Sequence, residues 1–158
     1  MNNQLKQYFE KHNINYKIHE HPAVFTVAES KNIKINIPGL HTKSLFLRDE
    51  SNKFYLVCLP GEKRLNLKFL KEKFSLKELH FGSAEELKEE LHVTPGSVSI
   101  FTMIHAKNTI LILDDEIWKA PIVGFHPNIN TSTLEITHKE LEKFYNSLSA
   151  EKYILALN

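Results

Sequence analysis

The sequence predicts an α+β fold built around a mixed, mostly antiparallel β-sheet. Three observations carry that prediction. Short runs rich in β-branched and aromatic residues recur between polar turns, at 54–59, 98–101, 109–113, 122–125 and 133–136. Segments with apolar residues at helical spacing are mixed irregularly among them, which departs from the regular strand–helix alternation of a parallel sheet. The 158 residues supply one core but not two, and no repeat, low-complexity tract or linker divides them. Residues 1–158 are therefore expected to form a single domain.

In chain order, Leu5, Tyr8, Phe9 and His12 fall at helical spacing, and Ile14, Tyr16 and Ile18 then alternate, so a helix leads into a short strand. After the break at His21-Pro22, Thr26 with Glu29 has the capping-box pattern and predicts a helix over 27–33, ended by Pro38-Gly39. Leu45 to Leu47 and Phe54 to Leu59 read as two strands joined by a polar turn at 48–53. Leu67, Leu70 and Phe74 mark a further helix, and Ser83 with Glu86 caps another that Pro95-Gly96 ends. Strands follow at Val98–Phe101, Thr109–Leu113 and Ile122–Phe125, with a helical turn around Glu116-Ile117-Trp118. The last strand is expected at Thr133–Ile136. Thr137 with Glu140 repeats the capping box before a closing helix with Leu141, Phe144 and Tyr145 on its apolar face, and the tail from Glu151 is apolar enough to dock.

Hydrophobic residues make up 42% of the chain and charged residues 25%, a globular balance that excludes a disordered chain. Twenty basic against nineteen acidic residues leave a formal net charge of +1, which excludes a general polyanion binder while allowing a local basic patch. The one cysteine, Cys58, rules out an intrachain disulfide and a multi-cysteine zinc knuckle. Inside the apolar run 54–59 it reads as a buried strand residue, not a nucleophile. The amino terminus has no basic start followed by an apolar stretch, and no run reaches the ~18 apolar residues of a membrane span. A cytoplasmic protein is expected.

Nine histidines raise the question of a metal, His19-x-His21 with His41 above all. The compact ligand spacing of a zinc site is missing, so these rings are expected at the surface or hydrogen-bonded in the core, with no metal or cofactor. Nor does the chain hold a nucleophile elbow, a phosphate loop or a dinucleotide-binding glycine pattern. Three segments are chemically odd for plain scaffold. In 37–47 a lysine, Lys43, stands at the mouth of an apolar strand just after Pro38-Gly39; taken alone it reads as a solvated residue. In Thr94-Pro95-Gly96-Ser97-Val98-Ser99 a turn glycine lets a ligand approach backbone N–H groups, although helix termination explains Gly96 equally well. The polar loop of 124–133 carries one titratable ring, His126, and several hydrogen-bonding side chains, among them Asn130 and Thr131.

These segments, with His21-Pro22-Ala23-Val24-Phe25-Thr26-Val27, resemble the editing-domain family (YbaK and ProX type) related to the insertion domain of bacterial prolyl-tRNA synthetase, and especially its freestanding alanyl-tRNA(Pro) deacylases. The resemblance is carried by 41–49, 65–70, 81–83, 95–98 and the loop from His126-Pro127 to Thr133, in the family's order and over nearly the whole chain. It implies a barrel-like sheet with helices around it, and hydrolysis of the ester between a wrongly attached amino acid and the terminal ribose of tRNA, alanine on proline tRNA first among the substrates. It also implies roles. Lys43 binds the terminal phosphate or ribose and orients the ester; backbone amides near Gly96 stabilise the oxyanion; His126 positions the adenosine or amino acid rather than abstracting a proton. Phe25, Thr26 and Val27 become candidates for the pocket wall, and Ser44, Ser97, Asn130 and Thr131 for substrate contacts.

Two departures from the family pattern bear on selectivity. Ser44 replaces the usual asparagine after the lysine, and Ile100 replaces a common proline. Both put the choice of amino acid in doubt, so a relative that clears cysteine, serine or threonine is the near alternative. A silent module that binds a tRNA end or a synthetase is the alternative outside the enzyme class. With so little net charge, contact is expected to be confined to the 3′ CCA end and upper acceptor stem, with a prolyl-tRNA synthetase or elongation factor as a possible source of further selectivity.

Overall fold

The computed structural model describes residues 1–22 and 37–157. The helix expected at 27–33, its Thr26–Glu29 cap and the pocket-wall candidates Phe25, Thr26 and Val27 lie outside the described residues. Eight strands form one mixed sheet: β1 (Lys17–Glu20), β2 (Leu40–Asp49), β3 (Phe54–Pro60), β4 (Leu79–Phe81), β5 (Thr109–Asp114), β6 (Ile122–Phe125), β7 (Ser132–Thr137) and β8 (Lys152–Leu155). Their order is β1-β7-β6-β2-β3-β5-β8, with β4 attached to β2. Four pairings are antiparallel and three, β2–β6, β3–β5 and β5–β8, are parallel. Among the described residues five α-helices pack on it: α1 (Asn3–Lys11), α2 (Leu67–Lys73), α3 (Ala84–Leu91), α4 (Asp115–Lys119) and α5 (His138–Ser147).

Alternation along β3 and β5 divides the core between the sheet's two faces. Leu56, Cys58, Leu111 and Leu113 join a large cluster with Phe9, Phe101, Phe125 and Phe144. Phe101 meets Phe9 at 5.2 Å and Phe144 at 4.9 Å, both edge to face, an arrangement that adds about 0.5–1.5 kcal/mol per pair beyond area burial. Tyr55, Val57, Leu59, Ile110 and Ile112 face the other way and are covered by α2 through Leu70, with Leu65, Leu67 and Phe69 at its margin.

The hairpin β2–β3 follows the sequence reading, and Asp49 builds its turn. One carboxylate oxygen accepts from Ser51 N–H at 2.8 Å and Lys53 N–H at 3.0 Å, and the other accepts from Tyr55 Oη–H at 2.6 Å. Two expectations fail at helix ends. The helix opened by Ser83 stops at Leu91, four residues before Pro95, because His92 takes the left-handed conformation at its C-cap, φ 61°. Thr137 does precede α5, but it makes no side-chain cap bond, and the Glu140 carboxylate that would complete the box is drawn to Asn15 and Lys143 instead. Val98–Phe101 is not a strand: Ile100–His105 is a 3₁₀-helix, started by Ser99 Oγ accepting from Phe101 N–H at 3.1 Å.

One topological detail positions the site. On the edge of β2 away from β3, pairing runs to β6 at Leu40 and His41 and to β4 from Leu47 to Asp49. Among the described residues the backbone ladder on that edge is open from Thr42 to Leu45, the Phe46 carbonyl accepting from Gly82 N–H at 2.8 Å, and Lys43 stands in the opening.

Candidate active site

Strand alternation sets what Lys43 can reach. Phe46 belongs to the large cluster while Leu45 and Leu47 pack against the opposite one, so Lys43 shares the face of Leu45 and Leu47. Lys43 is half-buried, and among the described residues no carboxylate lies within ion-pair distance of it. Ser44 points to the other face, where its Oγ lies 3.3 Å from Cys58 Sγ. The fold therefore does not bring Ser44 to the lysine's side. Burial pushes the Cys58 thiol up to about 12, which keeps it protonated and inert at neutral pH.

The face of β1-β7-β6-β2 that carries Lys43 also gathers three histidines. His41 pairs with Gly124 in register. A Cβ on Gly124 would stand 3.3 Å from His41 Nδ1 and 3.3 Å from Thr133 Cγ2; the missing side chain is what lets the imidazole and the threonine close over the strand. His41 Nε2 is 2.9 Å from the Ile37 carbonyl. His21 Nδ1 is 2.8 Å from the Pro22 carbonyl, and its Nε2 is 2.9 Å from Thr133 Oγ1. A carbonyl can only accept, so in the neutral ring Nδ1–H donates and Nε2 receives the threonine hydroxyl. The His21 N–H also donates to the Thr131 carbonyl at 2.9 Å. His19 Nε2 stands 2.9 Å from the buried Glu135 carboxylate. Among the described residues no group of three His, Cys, Asp or Glu side chains converges to hold a metal ion.

His126 follows β6 directly, and its Nδ1–H donates to the Ser132 carbonyl at 3.3 Å. From the parallel pair His41–Gly124, Lys43 lies two residues on along one chain and His126 two along the other. They occupy corresponding positions where β2 and β6 part. The Gly96 turn meets the same loop at Asn128 and Asn130. Ser97 N–H donates to the Thr94 carbonyl at 3.2 Å, with Pro95 and Gly96 between them and Gly96 at φ 91°. That is a type II turn, whose third position demands a positive φ. Gly96 is exposed, and a Cβ there would meet only Asn130 Nδ2, at 3.9 Å. Ser99 Oγ–H donates to Asn128 Oδ1 at 2.9 Å in a buried bond that ties the turn to the His126 loop; Asn128 Nδ2, also buried, has no partner among the described residues.

Lys43 and His126 thus stand at equivalent positions past the last β2–β6 pair, Gly96 lies beside Asn130, and Thr131 is tied to His21. A hollow of about 260 Å³ opens against the start of β2, between Gly39, Leu40, His41, Pro60, Gly61 and Glu62. In the sequence, His19, His21 and His41 read as surface or hydrogen-bonded core rings once a metal site is set aside, and Gly124, Thr133, Ser99 and Asn128 fall within the named segments without a role of their own. The usable signal was the His-x-His spacing, which in a strand puts both rings on one face.

Residues 21–144 match the family profile described as "Aminoacyl-tRNA editing domain". The prolyl-tRNA editing protein ProX of Acetoanaerobium sticklandii is 32% identical over 133 residues, covering 82% of this chain and 81% of that protein. The prolyl-tRNA synthetase associated domain-containing protein 1 of Danio rerio is 28% identical over 159 residues, covering 98% of this chain and 86% of that one. A crystal structure provisionally assigned as a trans-editing enzyme for prolyl tRNA synthetase has the same fold, with a TM-score of 0.76 at 20% identity over 100% of this chain and 98% of that one.

Proposed function

Because the chain belongs to the aminoacyl-tRNA editing domain family and is an aminoacyl-tRNA deacylase, we propose that it acts in trans on mischarged proline tRNA and removes alanine from its 3′ end. The observation that carries this reading is the polar face around Lys43, a cation without a carboxylate partner among the described residues, at the point where β2 and β6 separate. Synthetase pockets made for proline exclude the smaller alanine by only ~1–3 kcal/mol per methylene. A second site that admits alanine and rejects proline by bulk supplies the missing discrimination.

In this reading Lys43 holds the terminal phosphate or ribose and fixes the ester in the opening. Water adds to the ester carbonyl carbon, and the negative charge that forms on oxygen meets backbone N–H at the Gly96 turn. Ser97 N–H already closes that turn, so the donor assigned here is the Gly96 amide. The carbon–oxygen bond to the ribose then breaks, the ribose oxygen takes up the proton that water gave, and alanine leaves as a carboxylate with one proton released to solvent. His126, whose Nδ1–H is committed to the Ser132 carbonyl, positions the adenosine or the amino acid. Asn130, Thr131 and Ser97 line the approach. The partner is the CCA end and acceptor stem of the tRNA, with prolyl-tRNA synthetase or an elongation factor as the further source of selectivity. Ser44, turned toward Cys58, contributes no polar contact on this face. That supports a preference for a small apolar side chain over cysteine, serine or threonine.

The test is single-turnover deacylation of alanyl-tRNA(Pro). Lys43→Ala is expected to lower kcat/KM by about 10²-fold, the scale of a lost positioning contact, and a chelator is expected to leave the wild-type rate unchanged. Wild-type activity retained by Lys43→Ala, or lost on chelation, contradicts the reading.

A further inference from the structure

We infer that the segment before α2, together with the exposed side of α2, is the surface on which the acceptor stem of the tRNA rests through its phosphates while the 3′ end lies at Lys43. The inference rests on the proposed substrate being a charged tRNA and adds where its duplex is held. Position comes first. β3 ends at Pro60, paired with Thr42 and next to the Lys43–Leu59 pair, and Gly61 N–H donates to the His41 carbonyl at 2.9 Å. The chain therefore leaves the sheet beside Lys43. It passes Lys63 and Arg64 and enters α2 at Asn66, whose Oδ1 accepts from Phe69 N–H at 3.1 Å. Leu70 then packs with Leu47, Val57 and Leu59, so α2 covers the same sheet face that carries Lys43.

Charge is the second observation. Residues 61–78 hold six basic side chains, Lys63, Arg64, Lys68, Lys71, Lys73 and Lys77, against three acidic ones, Glu62, Glu72 and Glu78. The whole chain holds twenty against nineteen. This one segment therefore exceeds the positive excess of the entire molecule, and the rest is net acidic. Of the six cations only Lys63 is drawn into an ion pair among the described residues, with Asp114 at 2.8 Å and Glu116 at 3.0 Å. Lys17, Lys119 and Lys143, by contrast, each face a carboxylate elsewhere on the molecule. Arg64, Lys68, Lys73 and Lys77 are exposed. A row of unpaired cations on a helix about 10 Å long suits a few consecutive phosphates of one strand, whose neutralisation releases counterions. Recognition at this place needs no base reading. It gives a nearly neutral protein a local hold on a polyanion.

The test measures the affinity of non-aminoacylated tRNA(Pro) for the wild type and for the triple variant Arg64→Ala, Lys68→Ala, Lys71→Ala across a salt series, with hydrolysis of alanyl-adenosine, which has no stem, measured in parallel. The triple variant is expected to bind at least tenfold more weakly, and its slope of log Kd against log salt to fall by about three. Its rate on the stemless ester is expected to stay within twofold of wild type. Unchanged affinity and slope overturn the inference. An equal loss on the stemless ester overturns it too, because the defect would then lie in the fold or the site. Binding is read without an acyl group, so the ridge stands if RNA affinity falls in the variant even where alanine proves not to be the amino acid removed.

Discussion

Lys43 is held half-buried on a strand, beside a cluster of histidines, with no carboxylate to neutralise it among the described residues. Lys63, also half-buried, is by contrast compensated by the fully buried Asp114. Holding Lys43 ready for an anionic group is the physical content of the proposed site. Gly124 tests the arrangement without touching the lysine. Gly124→Ala forces His41 or Thr133 to give by a few tenths of an ångström, and deacylation is expected to drop about tenfold with the fold retained. A normal rate in that variant would show that the His41–Thr133 closure plays no part. Cys58, fully buried with its thiol pushed up to about 12, is expected to resist thiol reagents in the native protein at pH 8 and to react once unfolded. Stoichiometric labelling of the native protein would contradict its burial. Lys43, Gly96 and His126 are singled out by the resemblance to the editing-domain family; taken alone, Lys43 reads as a solvated residue, Gly96 as a helix end and His126 as one ring in a polar loop. Gly124 could not be, since its use depends on a ring brought across from another strand.

Helix caps separate what local sequence decides from what tertiary contacts decide. Ser83 and Glu86 form both bonds of the capping box, and Ser83→Ala is expected to cost about 1 kcal/mol in denaturant unfolding. Thr137 has the same pattern, but Glu140 is engaged with Asn15 and Lys143. Thr137→Ala is therefore expected to cost less than about 0.5 kcal/mol, and equal losses at the two positions would contradict this distinction. The Glu86 carboxyl is held below its ordinary value, first by the Ser83 N–H and then by Arg48. A lowered folded value contributes stability above the unfolded carboxylate range and loses it as pH falls through the folded value. The stability that the Glu86 carboxylate contributes is therefore expected to be lost under acid, and a Glu86→Gln variant to lack that loss. At Val98–Phe101 the apolar, β-branched run reads as a strand. Ser99, which caps Phe101 and bonds Asn128 at once, turns it into a 3₁₀-helix; that choice is made by a loop far along the chain.

Across the whole molecule, the α+β class and the mixed sheet were legible from alternating runs and helical spacing. Three parallel pairings were not, because β2–β6, β3–β5 and β5–β8 join segments far apart in sequence and no local turn announces them. The parallel β2–β6 pair is the one that matters most, since its early end creates the opening at Lys43. Net charge near zero concealed the basic ridge for a related reason: a sum over the chain cancels what the fold keeps apart. In the function we propose, this opening sorts esters by the bulk of the acyl group. That sorting is tested most directly by single-turnover hydrolysis of one proline tRNA charged in turn with alanine, serine, cysteine, threonine and proline. Alanine removed fastest and proline left in place is the expected result; proline released as fast as alanine would contradict the account.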